Sequence, residues 1–377
     1  MFFYIGDSCP FSALKEVESN LYLDEGWNQK HGVWYKGYST ECVLADAVDS
    51  IIDGYRPVGK WCVIHDGQVY HPTLRGFPIY ELGNSKTNLK LEGYDIKLYP
   101  DIDPIEGSTL SLDEVSYEIC RILVENTENL YKYNHVPNMT TLFSAGLDTL
   151  TAWAVIDQVT KNYTVSIHLP TYKDRTYLEL LGTRRDYHSD LMDRVSEDYW
   201  GYKHACFYKE YNWNITGYYA EVYTYRGLEA INAIANYQGK RIDEIASESD
   251  YLYWVLKRPV FVESYKDSKL EFSSDDDLKK FIWSKIWYNH AMWHLDNNLM
   301  FNPFADIRIP NLVHRMSISD ITKNCVSGQI QKNIIGMLRP DLLPLLSDYK
   351  NERNIWANFK KNFSESMIHP DTKLIYR

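Results

Sequence analysis

The sequence predicts an α/β protein in two parts. A small β-rich amino-terminal domain covers residues 1–110, and a parallel-sheet domain with helices on both faces covers residues 111–377. Three observations lead there. Residues 59–83 alternate apolar and polar side chains around Asp66-Gly67, as a half-buried hairpin does. Residues 100–109, PDIDPIEGST, concentrate prolines, a glycine and acids at one point and mark the boundary. Residues 139–154, MTTLFSAGLDTLTAWA, join a β-branched apolar run to the helical spacing of Leu150, Trp153, Ala154 and Ile156 through a short polar loop, which reads as strand, loop and helix.

With 377 residues, 45% of them hydrophobic, the chain is long enough for a sizeable core and for two domains. Its net charge of −11 argues against nonspecific binding to a nucleic-acid backbone. The six cysteines, Cys9, Cys42, Cys62, Cys120, Cys206 and Cys325, are spread singly, so neither a zinc site nor a disulfide framework is expected, as suits a reducing cytoplasm. No apolar run approaches the roughly 20 residues of a membrane span. The opening MFFYIGDSCPFSALKE is too short in its apolar part, and too soon acidic, for a secretion signal. A cytoplasmic protein is therefore expected. The 31 tyrosines and 11 tryptophans are assigned mainly to core and half-buried sheet. Residues 211–227, YNWNITGYYAEVYTYRG, are the candidate wall for an organic substrate.

Past the boundary, Ser111-Leu112-Asp113-Glu114 forms a capping box ahead of Val115, Ile119, Leu123 and Val124, which predicts a helix. Residues 163–169 and 203–208 read as the second and third strands of the sheet. The charged stretch 173–202 reads as a solvated helix pair. A further helix starts at Phe281 with Trp283, Ile286 and Trp287.

The loop Ser144-Ala145-Gly146-Leu147-Asp148-Thr149 carries the candidate chemistry. A helix start offers backbone N–H groups and the positive end of the dipole. Small residues let a polyphosphate approach, Ser144 and Thr149 add hydroxyls, and Asp148 can hold magnesium against it. The same letters also suit an ordinary βα turn with a capped helix.

SAGLDT resembles the SGGxDS pyrophosphate loop of the ATP-pyrophosphatase (PP-loop) superfamily, which its asparagine synthetase branch writes SGGLDS. Ala145 stands for glycine and Thr149 for serine. Other stretches follow in the family's order. Thr164-Val165-Ser166-Ile167 resembles the strand whose edge receives adenine, with His168 where a small residue would stand, so Ser166 and Ile167 join the expected nucleotide contacts. Glu248-Ser249-Asp250 falls where the family places a second acidic loop, SGEGSDE, making Asp250 a second magnesium ligand, with a helix cap as the alternative. Asp296, Met300 and the run from Asp306 through Arg308 and Pro310 to Leu312 resemble its D-x-x-x-M and E-A-R-V-P-F-L-D segments. Lys350 is the nearest match to the family's catalytic lysine, and Lys332 is the fallback for phosphate contact.

Arg75 and Pro78-Ile79-Tyr80 resemble the end of the family's amino-terminal glutaminase domain. That domain uses a cysteine directly after the initiator methionine, whereas Phe2 follows Met1 here and Cys9 has no free α-amine beside it. The resemblance thus implies a truncated, degenerate glutaminase-like domain without activity and a synthetase domain that binds ATP and Mg2+. It implies adenylation of a small-molecule or peptide carboxylate with release of pyrophosphate, then displacement of AMP by ammonia or by an amine on the substrate, as in β-lactam synthetases and lasso peptide cyclases. A second copy of the chain is considered as a homodimer partner; a membrane or nucleic-acid partner is not expected. Two alternatives remain open, modification of a nucleotide or nucleobase on the same fold, and a non-catalytic ATP-binding protein.

Overall fold

The computed structural model describes residues 2–5, 15–23, 26–72, 80–82, 90–91, 94–97, 103–136, 139–143, 146–160, 164–167, 185–186, 213–215, 217, 220–246, 270–293 and 300–345. The chain is mixed α/β, with small amino-terminal sheets that are largely antiparallel and with most of its helices from residue 112 onward.

The amino-terminal strands are β1 (Phe2–Ile5), β2 (Lys15–Glu18), β3 (Leu21–Leu23), β4 (Asn28–Lys30), β5 (Val33–Ser39), β6 (Gly59–His65), β7 (Gln68–Tyr70), β8 (Tyr80–Leu82), β9 (Lys90–Leu91) and β10 (Tyr94–Lys97), with helix α1 (Leu44–Ile52) between β5 and β6. One sheet runs β2-β3-β1-β8-β10-β9 and the other β4-β5-β6-β7. The apolar and polar alternation expected from residue 59 does not hold along β6, which is buried on both faces because it lies between the first sheet and α1. Cys62 and Ile64 pack against Phe3, Leu21 and Leu23 of the first sheet, while Trp61 and Val63 pack against Leu44, Val48 and Ile51 of α1. The β6–β7 turn has φ values of 48° at Asp66 and 72° at Gly67, as a two-residue hairpin turn requires. Helix α1 is an addition to the strand-rich expectation, although Leu44, Ala47, Val48 and Ile51 carry the spacing of one buried helical face.

Residues 103–109 of the expected boundary are irregular chain. Ile105 N–H donates to Asn311 Oδ1 (3.0 Å) and Arg315 Nε donates to the Ser108 carbonyl (2.9 Å). Helix α2 (Leu112–Tyr133) begins at the capping box, with Glu114 N–H donating to Ser111 Oγ (3.3 Å) and Ser111 N–H donating to Glu114 Oε2 (2.8 Å). Beyond it lie β11 (Met139–Phe143), α3 (Leu147–Val159), β12 (Thr164–Ile167), β13 (Arg185–Asp186), β14 (Trp213–Ile215), α4 (Ala220–Tyr223), α5 (Leu228–Tyr237), α6 (Ile242–Ala246), α7 (Asp275–Trp293), β15 (Met300–Phe301), α8 (Arg308–His314), α9 (Ile318–Ser327), α10 (Gln329–Leu338) and a 3-10 turn (Pro340–Leu345).

These short strands pair in the order β13-β12-β11-β14-β15, each pair in parallel register, with Phe143 opposite Ile167, Thr141 opposite Ile215 and Ile215 opposite Phe301. Two expectations are corrected. Arg185 and Asp186 pair with Val165 and Ser166 as strand inside a stretch read as helical, because backbone pairing overrides the charged pattern. Tyr223 and Tyr225, read as part of a substrate wall, are fully buried in the helical core beside Ile231, Ile309 and Ile321. The predicted strand 203–208 lies outside the described residues.

The amino-terminal sheets meet the helices at the end of β5. Tyr38 packs with Leu130, Met139, Ile156, Ile215 and Phe301, edge-on to the Phe301 ring at 6.0 Å between centroids. Asn134 Nδ2 donates to the Ser39 carbonyl at 2.8 Å. Among the described residues no helix is long and apolar enough to cross a membrane. Ser111→Ala removes the cap that starts α2 and should cost about 1 kcal/mol of stability, read as a lowered midpoint in denaturant.

Candidate functional site

The site is built where β11 ends. Gly146 has extended backbone (φ −70°, ψ 146°), and α3 begins after it without a side-chain cap. Thr149 Oγ1 turns back to donate to the Gly146 carbonyl (3.2 Å). Strand β12 pairs on one side of β11 and β14 on the other, so the chain leaves β11 in both directions across the sheet. Such a division is where ligands settle at the carboxyl ends of parallel strands. Gly217, two residues past β14, closes this end from one side: a Cβ there would lie 2.3 Å from the Asp148 carbonyl oxygen, so only glycine allows the approach. From the other side comes Gly328, the residue between α9 and α10, at φ +61°; a Cβ on it would come within 2.5 Å of Leu147 Cδ1.

Three further elements converge on Asp148, in the first turn of α3. Arg226 Nη2 donates to Asp148 Oδ2 at 2.5 Å, with the two side chains only 4% and 17% exposed. Gln331 of α10 donates through Nε2 to Asp148 Oδ1 (3.1 Å) and to Thr224 Oγ1 (2.9 Å). Glu221 on α4 adds a second carboxyl. Burial, and then the negative charge of Asp148, push it up to about 8, with Arg226 pulling the other way.

The turn that delivers Arg226 is unusual. Arg226 N–H donates to the Glu221 carbonyl and Tyr225 N–H to the Val222 carbonyl, the pairing of a helix end that normally has glycine in left-handed conformation. Tyrosine occupies that place, at φ +56°. Its hydroxyl is bonded to His314 Nδ1 (2.7 Å), and the ring stands edge-on to His314. Burial, and then the charge of Lys279, hold the His314 pKa down to about 4, so the ring that meets the phenol is neutral. The Cys325 thiol meets the Tyr225 carbonyl from α9, and Asn324 Nδ2 donates to the Thr224 carbonyl at 2.7 Å.

Of the residues expected from sequence, Gly146, Leu147, Asp148 and Thr149 form the start of α3. Ser166 and Ile167 lie in β12 opposite Leu142 and Phe143, beside that start. Lys332 is one position on from Gln331, about 100° around α10. It lines a different feature, a cavity of about 580 Å³ with Asp113, Ser116, Gln329, Asn333, Gly336, Met337 and Leu343. Ser144, Ala145, His168, Asp250, Asp296 and Lys350 lie outside the described residues. The Asp306–Arg308 segment serves packing: fully buried Asp306 accepts from Arg308 Nη2 (2.7 Å) and Asn126 Nδ2 (3.1 Å), and Arg308 also reaches Glu125. Glu221 and Arg226 stand within the aromatic stretch 211–227 read as a substrate wall, and Gln331 stands beside Lys332, so none of the three was singled out as a site residue.

Among the described residues no group of three or more His, Cys, Asp or Glu side chains could hold a metal. Each Asp148 oxygen already accepts a bond, one from a guanidinium, so a magnesium ion bonded directly to Asp148 would face that positive charge. A hydrated magnesium arriving with phosphate fits better. Gln331 is fully buried, and its Oε1 has no hydrogen-bond partner among the described residues, leaving an acceptor that a metal-bound water can satisfy. No protein-family model matches the chain, and no curated protein sequence matches it.

The raised Glu221 pKa sets a stability expectation. Folded, the carboxyl keeps its proton until about pH 8, whereas unfolded it loses it near 4.5, so stability should fall as pH rises between those values. In Glu221→Gln that decline should flatten, as measured by denaturant midpoints across the same pH range.

Proposed function

We propose that the chain is an ATP-dependent, AMP-forming amide-bond synthetase of the asparagine synthetase-like PP-loop kind, which adenylates a carboxylate and couples it to an amine without glutaminase activity. On this reading residues 111–377 form the synthetase domain, and residues 1–110 a truncated glutaminase-like scaffold. The observation that supports it most is the position of Gly146 to Thr149: Asp148 stands in the first turn of a helix that follows β11, between β12 and β14 in the sheet.

The chemistry follows from what meets there. The α3 start stabilises negative charge on a departing pyrophosphate, and it does so with a dipole fixed before the reaction begins. Arg226 lies beside it, oriented by Asp148 and largely shielded from water, so its charge is little screened. Gly217 and Gly328 hold the first turn of α3 between two neighbouring segments, limiting how far it can shift as charge builds. Magnesium, when bound with the nucleotide, supplies further positive charge against the leaving group. The edge of β12 at Ser166-Ile167 is one residue pair across from the end of β11, within reach of the adenosine end of the same ligand. Lys332 opens on the neighbouring cavity, where the carboxylate and amine partners are sought. The amine is ammonia or one carried by the substrate.

The test is formation of AMP and pyrophosphate from magnesium ATP, screened against pooled carboxylic acids with and without ammonium. Both products should appear with one pool, and Asp148→Asn should lower the rate about 100-fold or more while the thermal midpoint shows a folded protein. An unchanged rate in Asp148→Asn would remove the loop from the mechanism. Release of AMP that depends on a nucleoside instead of a carboxylic acid would favour the nucleotide-modifying alternative.

A further inference from the structure

We propose that Gln331 and Asp148 together receive the water ligands of a magnesium ion carried on a phosphate chain, holding the metal at the start of α3 through its hydration shell and not by a direct bond. The inference rests on the phosphate-loop reading and goes beyond it by assigning Gln331 a role and by stating how the metal is held.

The orientation of the Gln331 amide is settled by its neighbours. The Thr224 hydroxyl donates its one proton to the Ala220 carbonyl at 2.6 Å, so toward Gln331 it can only accept. The Asp148 carboxylate also accepts. Both therefore need the amide nitrogen, which turns Oε1 away from them. That oxygen is buried without a hydrogen-bond partner among the described residues. An unpaired buried acceptor is destabilising, and a methionine or leucine in the same place would not carry one.

What would satisfy it must bring a donor. Ionised phosphate offers only acceptors, although it is what the start of α3 attracts. Magnesium supplies the missing donors, because it gives up its waters reluctantly and usually keeps several. Direct coordination is disfavoured on the same residues: the Arg226 guanidinium is 2.5 Å from Asp148 Oδ2, and Gln331 occupies Oδ1. A water layer puts distance between the two cations while leaving the outer lone pairs of Asp148 in use.

Hexaamminecobalt(III) separates the two ways of holding a metal. Its ammonia ligands do not exchange, so it can act only through N–H donors on its surface. Binding of pyrophosphate to the full chain is measured by calorimetry with magnesium and with hexaamminecobalt(III), for the parent protein and for Gln331→Met. Both ions should support binding to the parent, and Gln331→Met should weaken both about 10-fold or more while a cooperative thermal transition shows that it is folded. Binding with magnesium but not with hexaamminecobalt(III) would show a direct bond and overturn the proposal, as would Gln331→Met binding as tightly as the parent. Should that variant fail to fold, the comparison of the two ions on the parent protein decides alone. Failure of pyrophosphate to bind with either ion would instead remove the phosphate-loop reading, and the proposal with it.

Discussion

The ion pair between Arg226 and Asp148 is the constraint around which the second half of the molecule is arranged. Both partners are largely removed from water, and a pair so placed is expensive to break: loss of one partner strands the other charge, at about 3–5 kcal/mol. Its value lies less in net stability than in what it fixes. Asp148 belongs to the first turn of α3 and Arg226 to the turn after α4, so the pair sets where the helix start stands relative to the chain emerging from β14. Gln331 extends the same junction to α10.

Several costly features make sense as supports for that junction. Tyr225 adopts a backbone conformation that glycine takes without penalty and that other residues reach at roughly 1–2 kcal/mol. A glycine there would remove the ring that stands edge-on to His314 and fills the neighbouring core, and would allow the Arg226 turn to loosen. Glu221 is held beside Asp148 as a second carboxyl, and burial first, then the charge of Asp148, make it keep its proton to about pH 8. Such concentrations of shifted pKa and strained backbone occur where a fold serves a ligand, and here they surround one helix start.

Local signals made much of this legible in the sequence. Ser111 and Glu114 announce α2 because a capping box is read within four residues, and the β6–β7 hairpin is announced by Asp66-Gly67 between two strand-like runs. Strand β11 and helix α3 follow from a change of hydrophobic period at Ser144–Gly146. The junction itself was not legible. Arg226 and Gln331 lie 78 and 183 positions from Asp148, and no local pattern links them. The aromatic run 211–227 misled for a physical reason: tyrosines suit a substrate wall and a core equally well, and Tyr223 and Tyr225 went to the core. The charged run around Arg185 carried no sign that its backbone would pair beside β12.

The claim that the start of α3 is a phosphate site can be tested without knowing the substrate. Amide hydrogen exchange, followed with and without magnesium pyrophosphate, reports each backbone N–H group separately. The account predicts slowed exchange at residues 146–150, with smaller slowing at 224–226 and 329–333, where Arg226 and Gln331 join Asp148. Unchanged exchange at residues 146–150 under saturating pyrophosphate, or slowing confined to the amino-terminal sheets, would contradict it.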